Sequence, residues 1–89
     1  MNTVLLKIDG ERVVHSLQAA VHELDSSETE LVLDFSGVHR IEPRALRAME
    51  ELASLADEKS ATVALRDVNV EVYKVLKIAQ LASRFSFAA

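Results

Sequence analysis

The sequence contains no cysteine, two glycines (Gly10 and Gly37), one proline (Pro43) and four aromatic residues (Phe35, Tyr73, Phe85 and Phe87). Without cysteine there are no disulfides, no thiolate chemistry and no zinc–cysteine sites. With so little glycine and proline, nothing marks a linker, a low-complexity tract or a domain boundary. The few aromatics leave no platform for stacking bases. Uninterrupted apolar runs such as Val4-Leu5-Leu6 stop at three residues. That is too short for a membrane span or a signal-peptide core. Basic side chains are also in deficit, with 10 Lys and Arg against 14 Asp and Glu and a net charge of −4. This balance argues against binding to a phosphate backbone. The expectation is a soluble cytoplasmic protein with neither nucleic acid nor a membrane as partner.

The 89 residues, 49% apolar and 27% charged, have a globular composition. A chain of this length buries roughly 64% of its unfolded surface, enough for one modest core. A single domain over 1–89 is expected.

Two hydrophobic periods alternate along the chain. Val4–Ile8 is short, β-rich and closed by Asp9-Gly10, which predicts a strand. Val13/Val14, Leu17, Ala20/Val21 and Leu24 recur every three or four residues, which predicts a helix ending near Asp25-Ser26-Ser27. The nearly solid apolar stretch Leu31–Phe35 reads as a strand covered on both faces. Pro43 opens a second helix, its fixed φ and missing N–H suiting the first position. Ala45, Met49, Leu52 and Ala56 form its inner stripe with Leu46 and Ala53 beside them, opposite Arg44, Arg47, Glu51, Ser54 and Glu58. Thr62–Leu65 predicts a third strand. Asn69 is the expected N-cap of a third helix that turns Val72, Val75, Leu76 and Ala79 inward. Leu81 and Phe85 are expected to dock after it, and Arg84–Phe87 to add a last edge strand. The order β-α-β-α-β-α-β implies a small α/β domain, with three helices on a mainly parallel four-stranded sheet.

The residues that invite a catalytic or metal-binding reading do not assemble into a motif. His15 and His22 stand about 10.5 Å apart along a helix axis, too far for one ion, and His39 has no evident second ligand. No serine lies in a nucleophile elbow, and Ser36-Gly37 is too short for a phosphate-cradling loop. Asp34 and Glu42 are more simply explained as a loop organiser and a helix-start acid than as an acid/base pair. No catalytic residue, metal or cofactor is assigned. One segment departs from the acidic background: His39-Arg40-Ile41-Glu42-Pro43-Arg44-Ala45-Leu46-Arg47. Arg40, Arg44 and Arg47 are expected to converge at the strand-to-helix turn as a rim for an acidic partner. The competing account is a solvated face with Arg47 paired to Glu51.

Residues 31–87 resemble the STAS domain shared by sulfate transporters and bacterial anti-sigma factor antagonists. Leu31-Val32-Leu33-Asp34-Phe35-Ser36-Gly37-Val38 is similar to the family's central strand and Asp-Leu-Ser-Gly-Val loop. Ile41-Glu42 and the helix from Pro43 to Asp57 stand where the family has Ile-Asp-Ser-Ser-Gly-Leu and its helix. Val70–Leu81 resembles the last helix and the turn after it. The opening hairpin strand of larger members has no counterpart. The resemblance implies a regulatory protein that binds a kinase-like anti-sigma factor around this helix N-terminus, where phosphorylation of a serine releases the complex. Position by position, Glu42 stands for the aspartate, Pro43 for the first serine, Arg44 for the phosphorylated serine and Ala45 for the glycine. The hydroxyl is therefore missing, and arginine carries the opposite charge to phosphoserine. The implied partner-binding residues are Ser36, Gly37, His39, Arg40, Glu42, Pro43, Arg44 and Arg47. The alternative role within the family is an accessory subunit of a lipid-transporting ABC ATPase. A small enzyme would need a catalytic constellation that these residues do not supply.

Overall fold

In the computed structural model, which describes residues 3–26 and 30–88, strands and helices alternate. The elements are β1 (Thr3–Lys7), α1 (Val13–Ser26), β2 (Glu30–Asp34), α2 (Pro43–Lys59), β3 (Val63–Arg66), α3 (Val70–Ile78) and β4 (Ser86–Ala88), with a short 3-10 turn at Ala82–Arg84. All neighbouring strands are parallel, in the order β1-β2-β3-β4. The predicted fold is therefore the observed one, including the fourth strand, which begins two residues and ends one residue later than expected, Arg84 belonging to the 3-10 turn instead. Ser27, at the expected end of the first helix, lies outside the described residues.

The strand register explains where the core sits. Val4, Leu6 and Ile8 lie on the same face as Leu31, Leu33 and Phe35, and the same face continues through Val63 and Leu65. One core cluster unites these residues with Leu17, Ala20 and Leu24 of α1, Met49 and Leu52 of α2, and Val72 and Leu76 of α3. Parallel strands in sequential order, joined by right-handed crossovers, carry every helix to one face. Among the described residues, no helix lies over the second face. There Leu5, Val32 and Ala64 form one cross-sheet row outside that cluster, with Leu5 53% exposed. This corrects the expectation of a β2 covered on both sides. Its inward residues are buried while Val32 and Asp34 are half-exposed.

Two smaller corrections concern the helices. Ala48 joins the buried face of α2, and Leu46 sits at its margin. Val75 of α3 and Ala79, which caps that helix, are half-buried, since a nine-residue helix at the end of the sheet has fewer neighbours to cover them. Lys59 Nζ donates to the Asp25 carbonyl at 2.8 Å, tying the C-terminal ends of α2 and α1 together. Arg84 pairs with Asp57 at 2.6 Å, pinning the 3-10 turn to α2.

Leu52 is fully buried mid-way along α2, while Ser54 is exposed on the same helix. Leu52→Ala should cost about 2–5 kcal/mol through lost transfer energy and the cavity left behind. That is a large part of the roughly 5–15 kcal/mol total of a domain. Ser54→Ala should change stability by less than about 0.5 kcal/mol. Denaturant unfolding of both variants checks this, and equal effects would contradict the assigned buried face.

Candidate functional site

The carboxyl ends of β1 and β2 feed two loops that lie against each other. In the first, Asp9 accepts a hydrogen bond from the Glu11 N–H at 2.9 Å, and its carbonyl accepts from the Arg12 N–H at 3.0 Å. This tight turn delivers the chain into α1. In the second, Asp34 Oδ1 accepts from the Ser36 N–H at 2.8 Å, and the Val38 N–H returns to the Phe35 carbonyl at 2.9 Å. The two loops meet at their glycines. A Cβ on Gly10 would lie 1.9 Å from the Gly37 carbonyl oxygen, so the backbones approach too closely for any side chain there.

Asp34 does more than shape its loop. The Ser36 backbone N–H, and then the Ser36 hydroxyl, hold its carboxyl below the usual carboxylate range, with Arg66 and Lys7 adding smaller effects. Lys7, Asp34 and Arg66 are register partners, forming a +/−/+ row across three strands.

The loop then runs to α2. Asn69, the N-cap of α3, donates from Nδ2 to the Val38 and His39 carbonyls at 3.1 and 3.3 Å. Its Oδ1 accepts from the Val72 N–H at 2.8 Å. One side chain thus caps α3 and fixes the loop that carries His39 and Arg40. Buried Val38 and Ile41 anchor the same segment to the core. Glu42 is the N-cap of α2 but makes no side-chain capping bond, and α2 has no acidic residue in its first turn. The Glu42 carboxylate faces Arg40 instead, at 3.3 Å in an exposed pair.

Most of the expected partner-binding residues come together on this surface. Ser36, His39, Arg40, Glu42, Pro43 and Arg44 are exposed along the loop and the first turn of α2, while Gly37 is half-buried beneath it. Arg47 departs from the expectation. It is exposed one turn further on and does not line the cavity that receives Arg40 and Arg44. Nor is it within ion-pair distance of Glu51 among the described residues. The third arginine is Arg12, at the entrance to α1. An open cavity of about 510 Å³ lies between the starts of the two helices, with Arg12, His15 and Gln18 on one wall and Arg40, Glu42 and Arg44 on the other. Residues 12 and 44 are far apart in sequence, and only the side-by-side packing of α1 and α2 brings them together. A basic residue immediately before a helix was the available signal for Arg12, and it is too common to have been decisive. Asn69 was legible as a cap, but its hold on the loop was not.

The strand–loop–helix geometry and the all-parallel sheet can be compared with known proteins. The family model described as "Mlab, STAS domain" matches residues 2–85. The chain belongs to the STAS domain family. A solved structure with the same fold is that of a Thermotoga maritima protein named as a candidate anti-sigma factor antagonist, with a TM-score of 0.76 and 19% identity. The match covers 96% of this STAS domain and 77% of that chain. No curated relative matches in sequence. Among the described residues, no helix of this STAS domain is long and apolar enough to cross a membrane.

Two outcomes test this site. Gly10→Ala should force the two loops apart at a cost of about 1–3 kcal/mol, visible as a lower unfolding midpoint and shifted backbone amides at residues 36–38. Asp34→Asn keeps an acceptor for the Ser36 N–H but removes the charge. Because the folded-state pKa is depressed, the contribution of the charge is present above the unfolded value of 3.8 and lost as pH falls through the folded one. The variant should therefore be less stable than wild type at neutral pH, with the gap closing on acidification below about pH 4. A gap independent of pH would rule out this role for the charge.

Proposed function

We propose that this STAS domain is a non-catalytic, cytoplasmic regulatory module that binds a protein partner through the loop at 36–42 and the first turns of α2. The carrying observation is Arg44. It is exposed and forms no ion pair among the described residues, at the position to which the family resemblance gives the phosphorylated serine. A positive side chain in the first turn of α2 opposes the helix dipole, so folding alone gives no reason for it. Docking to an acidic surface does. Binding and switching require different features: the exposed rim is retained, while the hydroxyl that would carry a phosphate is absent.

The first-choice partner is a kinase-like anti-sigma factor, engaged constitutively because the phosphorylation switch is missing. The second is an ABC ATPase of lipid transport, for which the domain would be an accessory subunit. Arg44 favours keeping this second reading, since such a role needs the docking surface and no phosphate acceptor.

Capture of partners on the immobilised domain, followed by mass spectrometry, separates the readings: a histidine-kinase-like ATPase supports the first and an ABC ATPase the second. With the captured protein in hand, Arg44→Asp should weaken binding at least about tenfold, or 1.4 kcal/mol. The loss should fall mainly on the association rate and fade at high salt. Lys74→Asp, exposed on α3, is the control. Incubation with a kinase partner and ATP should leave residues 36–47 unphosphorylated. Unchanged binding by Arg44→Asp at low salt, or a phosphopeptide from that segment, would overturn the proposal.

A further inference from the structure

The cavity between the starts of α1 and α2 concentrates positive charge in an acidic protein. Three arginines line it, from three separate segments: Arg12 ahead of α1, Arg40 in the loop and Arg44 on α2, with His15 beside Arg12. Arg40 is neutralised by Glu42 at 3.3 Å. Arg12 and Arg44 have no ion-pair partner among the described residues, and Glu11 is the cavity's other acid. The cavity is thus net positive by one charge.

The placement of the two free guanidiniums is as telling as their number. Arg12 immediately precedes α1 and Arg44 is the second residue of α2, and neither helix has an acid in its first turn. Both arginines therefore stand where an acidic side chain would be favoured. An anion between the two walls would remove that conflict on both sides at once. A carboxylate is planar, singly charged and satisfied by one bidentate guanidinium. A phosphate monoester carries up to two charges and three strong acceptor oxygens, and so accepts donors approaching from opposite walls.

We propose that this cavity is a receptor for a phosphate monoester, held between Arg12 and His15 on one wall and Arg44 on the other. The inference rests on the docking reading for the location of the site and deepens it by naming the recognised group. A chain that has arginine in place of the phosphorylated serine would then read a phosphate borne by another molecule. That molecule is either a small phosphorylated ligand or a phosphorylated side chain of a protein.

The test is a titration of the 15N-labelled full chain at constant ionic strength and neutral pH, followed by backbone amide and arginine Nε–H shifts. The probes are inorganic phosphate, acetate, a neutral peptide carrying one phosphoserine, and the same peptide unphosphorylated. Phosphate should give saturable shifts at residues 12–15 and 44–45 that acetate does not reproduce. Arg12→Gln and Arg44→Gln should each weaken phosphate binding about three- to fivefold, the scale of an exposed ion pair, and Arg47→Gln should leave it unchanged. The wild-type titrations stand even if a variant loses its folded spectrum. A phosphopeptide that binds much more tightly than inorganic phosphate supports a protein source, and equal affinities support a small ligand. Unsaturable shifts, equal effects of acetate, or shifts insensitive to both arginines would overturn the proposal. No partner is needed, so this site can fail while docking holds, and docking can fail while the phosphate titrations hold.

Discussion

Four parallel strands in sequential order force consecutive helices onto one face of the sheet, side by side and pointing the same way. The rest of the molecule follows from that constraint. It makes the core one-sided, with Leu31, Leu33 and Phe35 beneath Met49 and Leu52. It also lines up the N-termini of α1 and α2 over the carboxyl ends of β1 and β2. A doubly wound sheet places its ligand crevice where the strand order reverses. Here nothing reverses, and the cavity forms between two successive strand-to-helix loops instead.

Those loops are held by small, local means. The contact of Gly10 with the Gly37 carbonyl brings them together, Asp9 and Asp34 each fold their own turn, and Asn69 reaches across from α3 to the Val38 and His39 carbonyls. The site therefore has a fixed backbone and exposed side chains. That division suits recognition: the rigid loop limits the ordering entropy of binding, while the arginines remain free to meet charge. Asp34, whose carboxyl is held below its usual range by Ser36, belongs to this loop framework.

The side of the sheet away from the core carries an apolar row bordered by charge. Leu5, Val32 and Ala64 form a single apolar row. Beyond it lie Lys7, Asp34 and Arg66, whose alternating charges stabilise the row while keeping it hydrated. A second apolar area, Tyr73 edge-on to Phe87 with ring centroids 5.3 Å apart, covers part of the junction between α3 and β4.

The order and type of the strands and α-helices were legible in the sequence, because each carries its own period: alternating or solid apolar runs for the strands, three-and-four spacing for the helices, Pro43 and Asn69 as start signals; the 3-10 turn at Ala82–Arg84 was not. The loop after β2 was equally legible, being a matter of residue identity along a short stretch. Three features were decided only by the tertiary structure. Whether β2 is covered on one face or two depends on crossover handedness and strand order, which an apolar run does not encode. Arg12 rather than Arg47 completes the basic cavity because two helices distant in sequence pack side by side. Asn69 holds the site loop because the chain after β3 returns beside Val38, a contact between residues thirty-one apart. Local pattern determines what each segment becomes, and the packing of segments determines which side chains share a site.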